Sequence, residues 1–198
     1  MTVKKLNLWI GGEFCAAKDK AVFIDHNPID DSPYAEVAKA SADDVHLAAE
    51  AAHAAFASYR NTSPGQRETW LSRAADLLEQ RKDAFADVLI DEIGSPLLKA
   101  HFEIKYAIAH LRTAAGIPRR ITGQTLPSDV PGRFSMSVRE PLGVFACITP
   151  FNVPLIKAMK QCTGPLATGN TVVMLASEEA PALAILVAEL FRDAGFPA

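Results

Sequence analysis

Two polar side chains stand where two apolar runs stop. The run GVFACIT (143–149) is followed by Pro150, Phe151 and Asn152, and the run NTVVMLA (170–176) by Ser177 and Glu178. Asn152 lies just before Pro154, where a helix should begin. An amide there can cap the helix, or it can donate to an oxygen that gains negative charge during a reaction. Glu178 is either a solvated strand-end carboxylate or an acceptor for ribose hydroxyls; in the second role its charge would repel a 2′-phosphate. The remaining reactive side chains suggest less. Cys147 falls inside the first run and Cys162 in the middle of the next segment. Neither adjoins a histidine or stands at a helix N-terminus, so both read as buried small hydrophobes. His26, His46, His53, His101 and His110 show no HExxH or zinc-ligand spacing, and no metal is expected. GxGxxG and phosphate-loop motifs are absent from the sequence, so a dinucleotide would have to use a different loop.

The elements that must position these residues are a strand, a helix and a second strand. An unbroken run such as GVFACIT suits a parallel strand buried on both faces. A helix is expected from about Pro154 to Ala167, then the strand NTVVMLA, then a final helix from about Pro181 to Ala194. This is the right-handed crossover unit of an α/β sheet, whose ligands sit at the carboxyl ends of the strands. Upstream, residues 7–40 read as short strands and turns, with Gly11-Gly12 as a turn. Three helices follow. Ser41 caps the first, with Val45, Ala48, Ala49, Ala52 and Phe56 on its apolar face. Ser63-Pro64-Gly65-Gln66 opens a second, with Leu71, Ala74, Leu78, Phe85 and Leu89 facing inward. Ser95-Pro96 opens the third, and Gly116 ends it. Pro118, Pro127, Pro131 and Pro141 then mark an extended connector in which residues 134–138 alternate like a half-exposed strand.

Bulk composition excludes several classes. The 198 residues are 49% hydrophobic and 22% charged, with a net charge of −3. No global field draws the chain to nucleic acid or an anionic membrane, and no apolar run is long enough to span a bilayer. The N-terminal apolar stretch is too short for a signal peptide. Cys15, Cys147 and Cys162 form no CxxC pair, and their odd number argues against a disulfide framework. The expected compartment is the cytoplasm.

Taken together, LWIGGEF, EIGSP, REPLGVFACITPFNVP and GNTVVMLASEEAP resemble the N-terminal part of the NAD(P)-dependent aldehyde dehydrogenase superfamily over nearly the whole chain. The stretch TGQTLPSDVPGRFSMSVREPLGV and the ASEE segment are most similar to the branch acting on aromatic aldehydes such as benzaldehyde or vanillin. The resemblance implies an α/β fold: a helical layer plus an incomplete Rossmann-like parallel sheet. Residues 1–122 would form the N-terminal hairpin and helices of the cofactor domain, 123–142 an arm-like connector, and 143–198 the β-α-β-α part of the sheet. It also implies a chemistry in which a cysteine thiolate attacks the aldehyde, hydride passes to the nicotinamide, and a glutamate-activated water hydrolyses the thioester.

In that scheme Asn152 matches the oxyanion asparagine. Ile148, Thr149, Pro150 and Phe151 match the segment on the nicotinamide side, and Ser177 and Glu178 the adenosine-ribose contacts. Leu175 stands where the family usually has a lysine, which implies weakened dinucleotide binding and NAD in preference to NADP. The family's glycine-containing cofactor turn, general base and nucleophile would lie beyond Ala198. The expectation is therefore a truncated chain that is inactive alone. With one edge of its central strand open, it should associate with copies of itself. A non-catalytic nucleotide-binding remnant, or a module that joins full-length subunits, is the alternative.

Overall fold

The computed structural model describes residues 3–197. Five short strands come first. β1 (Lys4–Leu6), β4 (Val22–His26) and β5 (Pro33–Ala38) form one sheet in the order β1-β5-β4. β2 (Leu8–Ile10) and β3 (Glu13–Cys15) form a hairpin closed by Gly11 and Gly12, both at positive φ, which a tight two-residue turn requires. Helices α1 (Ala42–Tyr59), α2 (Pro64–Gln80), α3 (Lys82–Asp91) and α4 (Leu97–Ala115) follow, ending in a single 3-10 turn at Pro118–Arg120. β6 (Gln124–Leu126) and β7 (Ser135–Ser137) pair as a hairpin. The chain then runs through β8 (Val144–Ile148), α5 (Pro154–Ala167), β9 (Thr171–Leu175) and α6 (Pro181–Ala194).

The last four elements match the expected crossover: β8 and β9 pair in parallel, with Val144 opposite Thr171 and Ile148 opposite Leu175. Asn170 sets that register. Its Oδ1 accepts the Leu142 and Gly143 N–H groups at 2.6 and 2.9 Å, and its Nδ2 donates to Thr168 Oγ1 at 2.8 Å. The Gly-Asn pair is thus a structural clasp between the starts of the two strands. Tyr59 Oη donates to Leu166 O at 2.8 Å and Thr171 Oγ1 to Ala52 O at 2.9 Å, pinning α1 to the crossover unit. The larger of two apolar clusters is built from Leu71, Leu78, Phe85, Leu89, Leu111, Leu155, Met159 and Leu190 among others, and a smaller one gathers Tyr59, Cys147, Cys162 and Leu166.

Several expectations need correction. The second helix is two: the chain turns at Arg81 (φ −100°, ψ 14°), whose guanidinium pairs with Asp193 at 2.7 Å. Leu78 of α2 and Phe85 of α3 still share one core. Ser41 and Ser63 cap α1 and α2 in reciprocal capping boxes. Ser95 does not cap α4; its hydroxyl accepts from Lys99 Nζ at 2.8 Å instead. Val45 is exposed, and the inward side of α1 runs through the half-buried Ala48, Ala52 and Phe56 to the buried Tyr59. In the connector, Phe134, Met136 and Val138 are all exposed, for β7 has only its hairpin partner β6 beside it among the described residues. Nor is β8 buried on both faces. Alternate side chains point to opposite sides of a strand: Phe145 and Cys147 pack with Cys162 and Leu166 of α5, while Ile148 on the other side is 67% exposed.

Candidate functional site at the strand ends

The parallel pairing brings the carboxyl ends of β8 and β9 side by side. Thr149 continues the ladder: its N–H and its hydroxyl both donate to Leu175 O, each at 3.1 Å. Thr149 is buried, so it ties the two strand ends together rather than facing outward. Beyond it, Pro150 is half-buried, and Phe151 and Asn152 are exposed. The cap position of α5 is Val153, not Asn152, and α5 has no side-chain cap of its own. Asn152 makes no hydrogen bond among the described residues, which leaves its amide free. The capping reading of Asn152 is therefore overturned.

On the neighbouring loop, Ser177 Oγ accepts the Glu179 N–H at 3.3 Å and Ser177 O accepts the Ala180 N–H, forming a turn. Glu178 is exposed and has no ion pair among the described residues. Ile148 and Leu175, opposite each other in register, are exposed at 67% and 55%. The loops thus present an apolar ledge with a free amide on one side and a free carboxylate on the other. Between α5 and α6 the recess lined by Thr149, Pro154, Met174 and Leu183 has only about 10 Å³. That is scarcely room for one water, so this recess itself holds no larger ligand.

The starts of α5 and α6 are held from outside. Glu103 of α4 is fully buried and its Oε2 accepts the Leu155 N–H at 3.2 Å. Glu92, just after α3, accepts the Ala182 N–H on Oε1 and the Leu183 N–H on Oε2, the latter at 3.0 Å. Sequence reasoning missed both. EIGSP was legible as a motif, but nothing local shows that its glutamate meets a helix ninety residues on. Glu92 also lies against the buried Asp25 carboxyl; burial, with Asp25 beside it, pushes Glu92 up to about 8. Burial raises Asp25 as well, and Asp25 Oδ2 has no hydrogen-bond partner among the described residues.

None of the cysteines joins the ledge. The Cys147 thiol beside it and its own burial push the Cys162 thiol well above the ordinary range, and Cys147 contacts Gln161 O at 3.5 Å. Cys15 lies on the N-terminal hairpin. Among the described residues, no group of three or more His, Cys, Asp or Glu could hold a metal, and no helix is long and apolar enough to cross a membrane.

Comparison with known proteins adds a family. The sequence profile of the aldehyde dehydrogenase family matches residues 14–198. A vanillin dehydrogenase from Pseudomonas sp. (strain HR199 / DSM 7063) is 39% identical over 188 residues, covering 95% of this chain and 39% of that protein. Two solved structures share the fold closely. The salicylaldehyde dehydrogenase of Pseudomonas putida G7, complexed with salicylaldehyde, gives a TM-score of 0.95 at 32% identity, covering 98% of this chain and 40% of that one. An NAD-dependent benzaldehyde dehydrogenase from Corynebacterium glutamicum gives 0.92 at 35%, covering 96% and 42%. The chain spans about two fifths of the length of the curated relatives it matches.

Proposed function

The chain belongs to the aldehyde dehydrogenase family, and from that premise we propose that it supplies the oxyanion and cofactor-ribose side of an NAD-dependent dehydrogenase that oxidises an aromatic aldehyde to its acid. The observation carrying this reading is the free Asn152 amide and the free Glu178 carboxylate on adjacent loops at the ends of two paired parallel strands. The aromatic substrate class rests on the names of the similar enzymes, which act on vanillin, salicylaldehyde and benzaldehyde.

In this reading the Asn152 side-chain NH2 donates to the aldehyde oxygen as that oxygen becomes an oxyanion. Losing such a donor costs about 3 kcal/mol of transition-state stabilisation. The Glu178 carboxylate accepts from ribose hydroxyls beside Ser177 and disfavours a 2′-phosphate, so NAD is favoured over NADP. NAD supplies the hydride acceptor. Ile148, Pro150 and Phe151 offer the nicotinamide side an apolar surface, and Thr149 keeps the two loops in step. Exposed apolar side chains at the very end of a parallel pair fit a flat aromatic group better than they fit water. Residues 1–122 and 143–198 are proposed as parts of one cofactor domain, and 123–142 as its arm.

Covalent oxidation of an aldehyde needs an activated nucleophile and a base within hydrogen-bond reach. The buried Cys147 and Cys162 offer neither, so the 198-residue chain by itself is proposed to bind dinucleotide without turnover. A second reading, a module that associates with like subunits, draws support from the exposed Phe134, Met136 and Leu142, at 74%, 61% and 87%.

Calorimetry with NAD tests the primary reading. Glu178→Ala is expected to abolish the binding heat, while Glu179→Ala, one residue on, leaves it in place. Equal behaviour of the two variants refutes the ribose assignment. Reduction of NAD by benzaldehyde with this chain alone would refute its inactivity.

A further inference from the structure

Two buried carboxylates have no part in the ledge and yet touch both helices that begin behind it. α5 and α6 each start with proline, Pro154 and Pro181, so the first position of each has no N–H to satisfy. Neither helix has a capping side chain of its own; Val153 and Ala180 occupy the cap positions. The first free N–H groups are therefore those of Leu155, Ala182 and Leu183, and all three donate to a glutamate of the helical layer. Glu103 is fully buried and also accepts from Lys99 Nζ at 2.7 Å, with Lys99 bonded to Ser95 Oγ at 2.8 Å. Glu92 is 3% exposed and uses both oxygens on α6.

A helix N-terminus carries partial positive charge and attracts anions, phosphates among them. Here a side chain of the protein already occupies each one. We propose that the buried side chains of Glu103 and Glu92 are the resident acceptors of α5 and α6, occupying the N–H groups that a cofactor phosphate would otherwise use and fixing the loops 149–153 and 176–180. They are positioning residues. Glu103 acts on Asn152 through Leu155, three residues along the chain, and Glu92 acts on Ser177 and Glu178 through Ala182. The occupancy of the helix ends stands by itself; its effect on Asn152 and Glu178 rests on the roles proposed above for those two residues.

The test is chemical rescue in the 198-residue chain. Glu103→Ala leaves a cavity between Lys99 and the start of α5, and its Tm is expected to fall by on the order of 10 °C. Formate, a free carboxylate of the deleted group's size, is then expected to raise the Tm of the variant, while chloride at equal ionic strength does not. The side-chain amide resonances of Asn152 should move in the variant and return with formate. Equal effects of formate and chloride would overturn the proposal. Glu103→Gln guards against a variant that does not fold. It keeps an acceptor and loses the charge, so the Leu155 amide proton should shift upfield. An unchanged Leu155 resonance overturns the proposal as well. If Asn152→Ala proves harmless to NAD-linked turnover in an active longer form, the oxyanion role fails while formate rescue stands, which separates the two ideas.

Discussion

The junction of α5 and α6 with the helical layer and the connector at 121–142 are opposites within one chain. At the junction, Leu155, Met159, Leu183 and Leu190 are buried, and the carboxylates of Glu92 and Glu103 are matched to backbone donors. In the connector, residues 122–140 are exposed except for the half-buried Ser135, although Phe134, Met136 and Val138 are apolar. The first region is complete within these residues. The second carries an exposed apolar face, Phe134, Met136 and Val138, that no described residue covers. A chain can hold both because core burial and strand-edge exposure are governed by different contacts.

The sharpest way to break the contrast is through the core. Phe85→Ala, at a side chain 1% exposed, should cost about 3–5 kcal/mol, as measured by urea unfolding; a loss below 1 kcal/mol would mean the junction is not one packed unit. Next comes pH. Glu92 is raised from its ordinary 4.5 to about 8, so the folded chain keeps a proton that the unfolded chain releases. Stability should therefore fall as pH rises through that window, by on the order of 1 kcal/mol per pH unit at most. Asp25 beside Glu92 is raised chiefly by burial and further by Glu179, which adds to the slope, while its bond to Glu92 and the charge of His26 lower it and oppose the slope. Glu92→Gln should flatten the slope, and an unchanged slope would remove Glu92 as its source.

Smaller effects probe the exposed side of the contrast. The double variant Phe134→Ser and Met136→Ser should change stability by less than about 0.5 kcal/mol, yet reduce self-association in sedimentation. Unaltered association would show that the connector is not the sticky face. Smallest of all, Leu175→Lys adds a cation beside Glu178 without touching the core. It should tighten NAD by less than about tenfold, one charge-assisted hydrogen bond's worth; weaker binding would remove position 175 from the cofactor surface.

Periodicity and punctuation made much of this molecule readable. The proline-started α5 and α6 fall at the expected bounds, because proline fits the first turn of a helix and poorly fits its interior. The capping boxes at Ser41 and Ser63 are read for the same local reason. The break at Arg81 was not legible, since Gln80-Arg81-Lys82 contains no breaker and the Asp193 that pairs with Arg81 lies far along the chain. The candidate site divides the same way. Asn152 and Glu178 were visible as polar residues closing apolar runs, while the glutamates that hold the helices behind them were not.

What the sequence determined by itself is the order of strands and helices, the identity of the residues at the strand ends, and the family resemblance that goes with them. Those depend on neighbours within a few residues. Only the tertiary structure decided that Asn152 is free rather than a cap, that Thr149 is turned inward to Leu175, and that Glu103 and Glu92 sit on helix starts 52 and 90 residues away. A carboxylate finds such a partner because burial leaves it no water to bond with. That choice is made by the whole fold, and no local pattern records it.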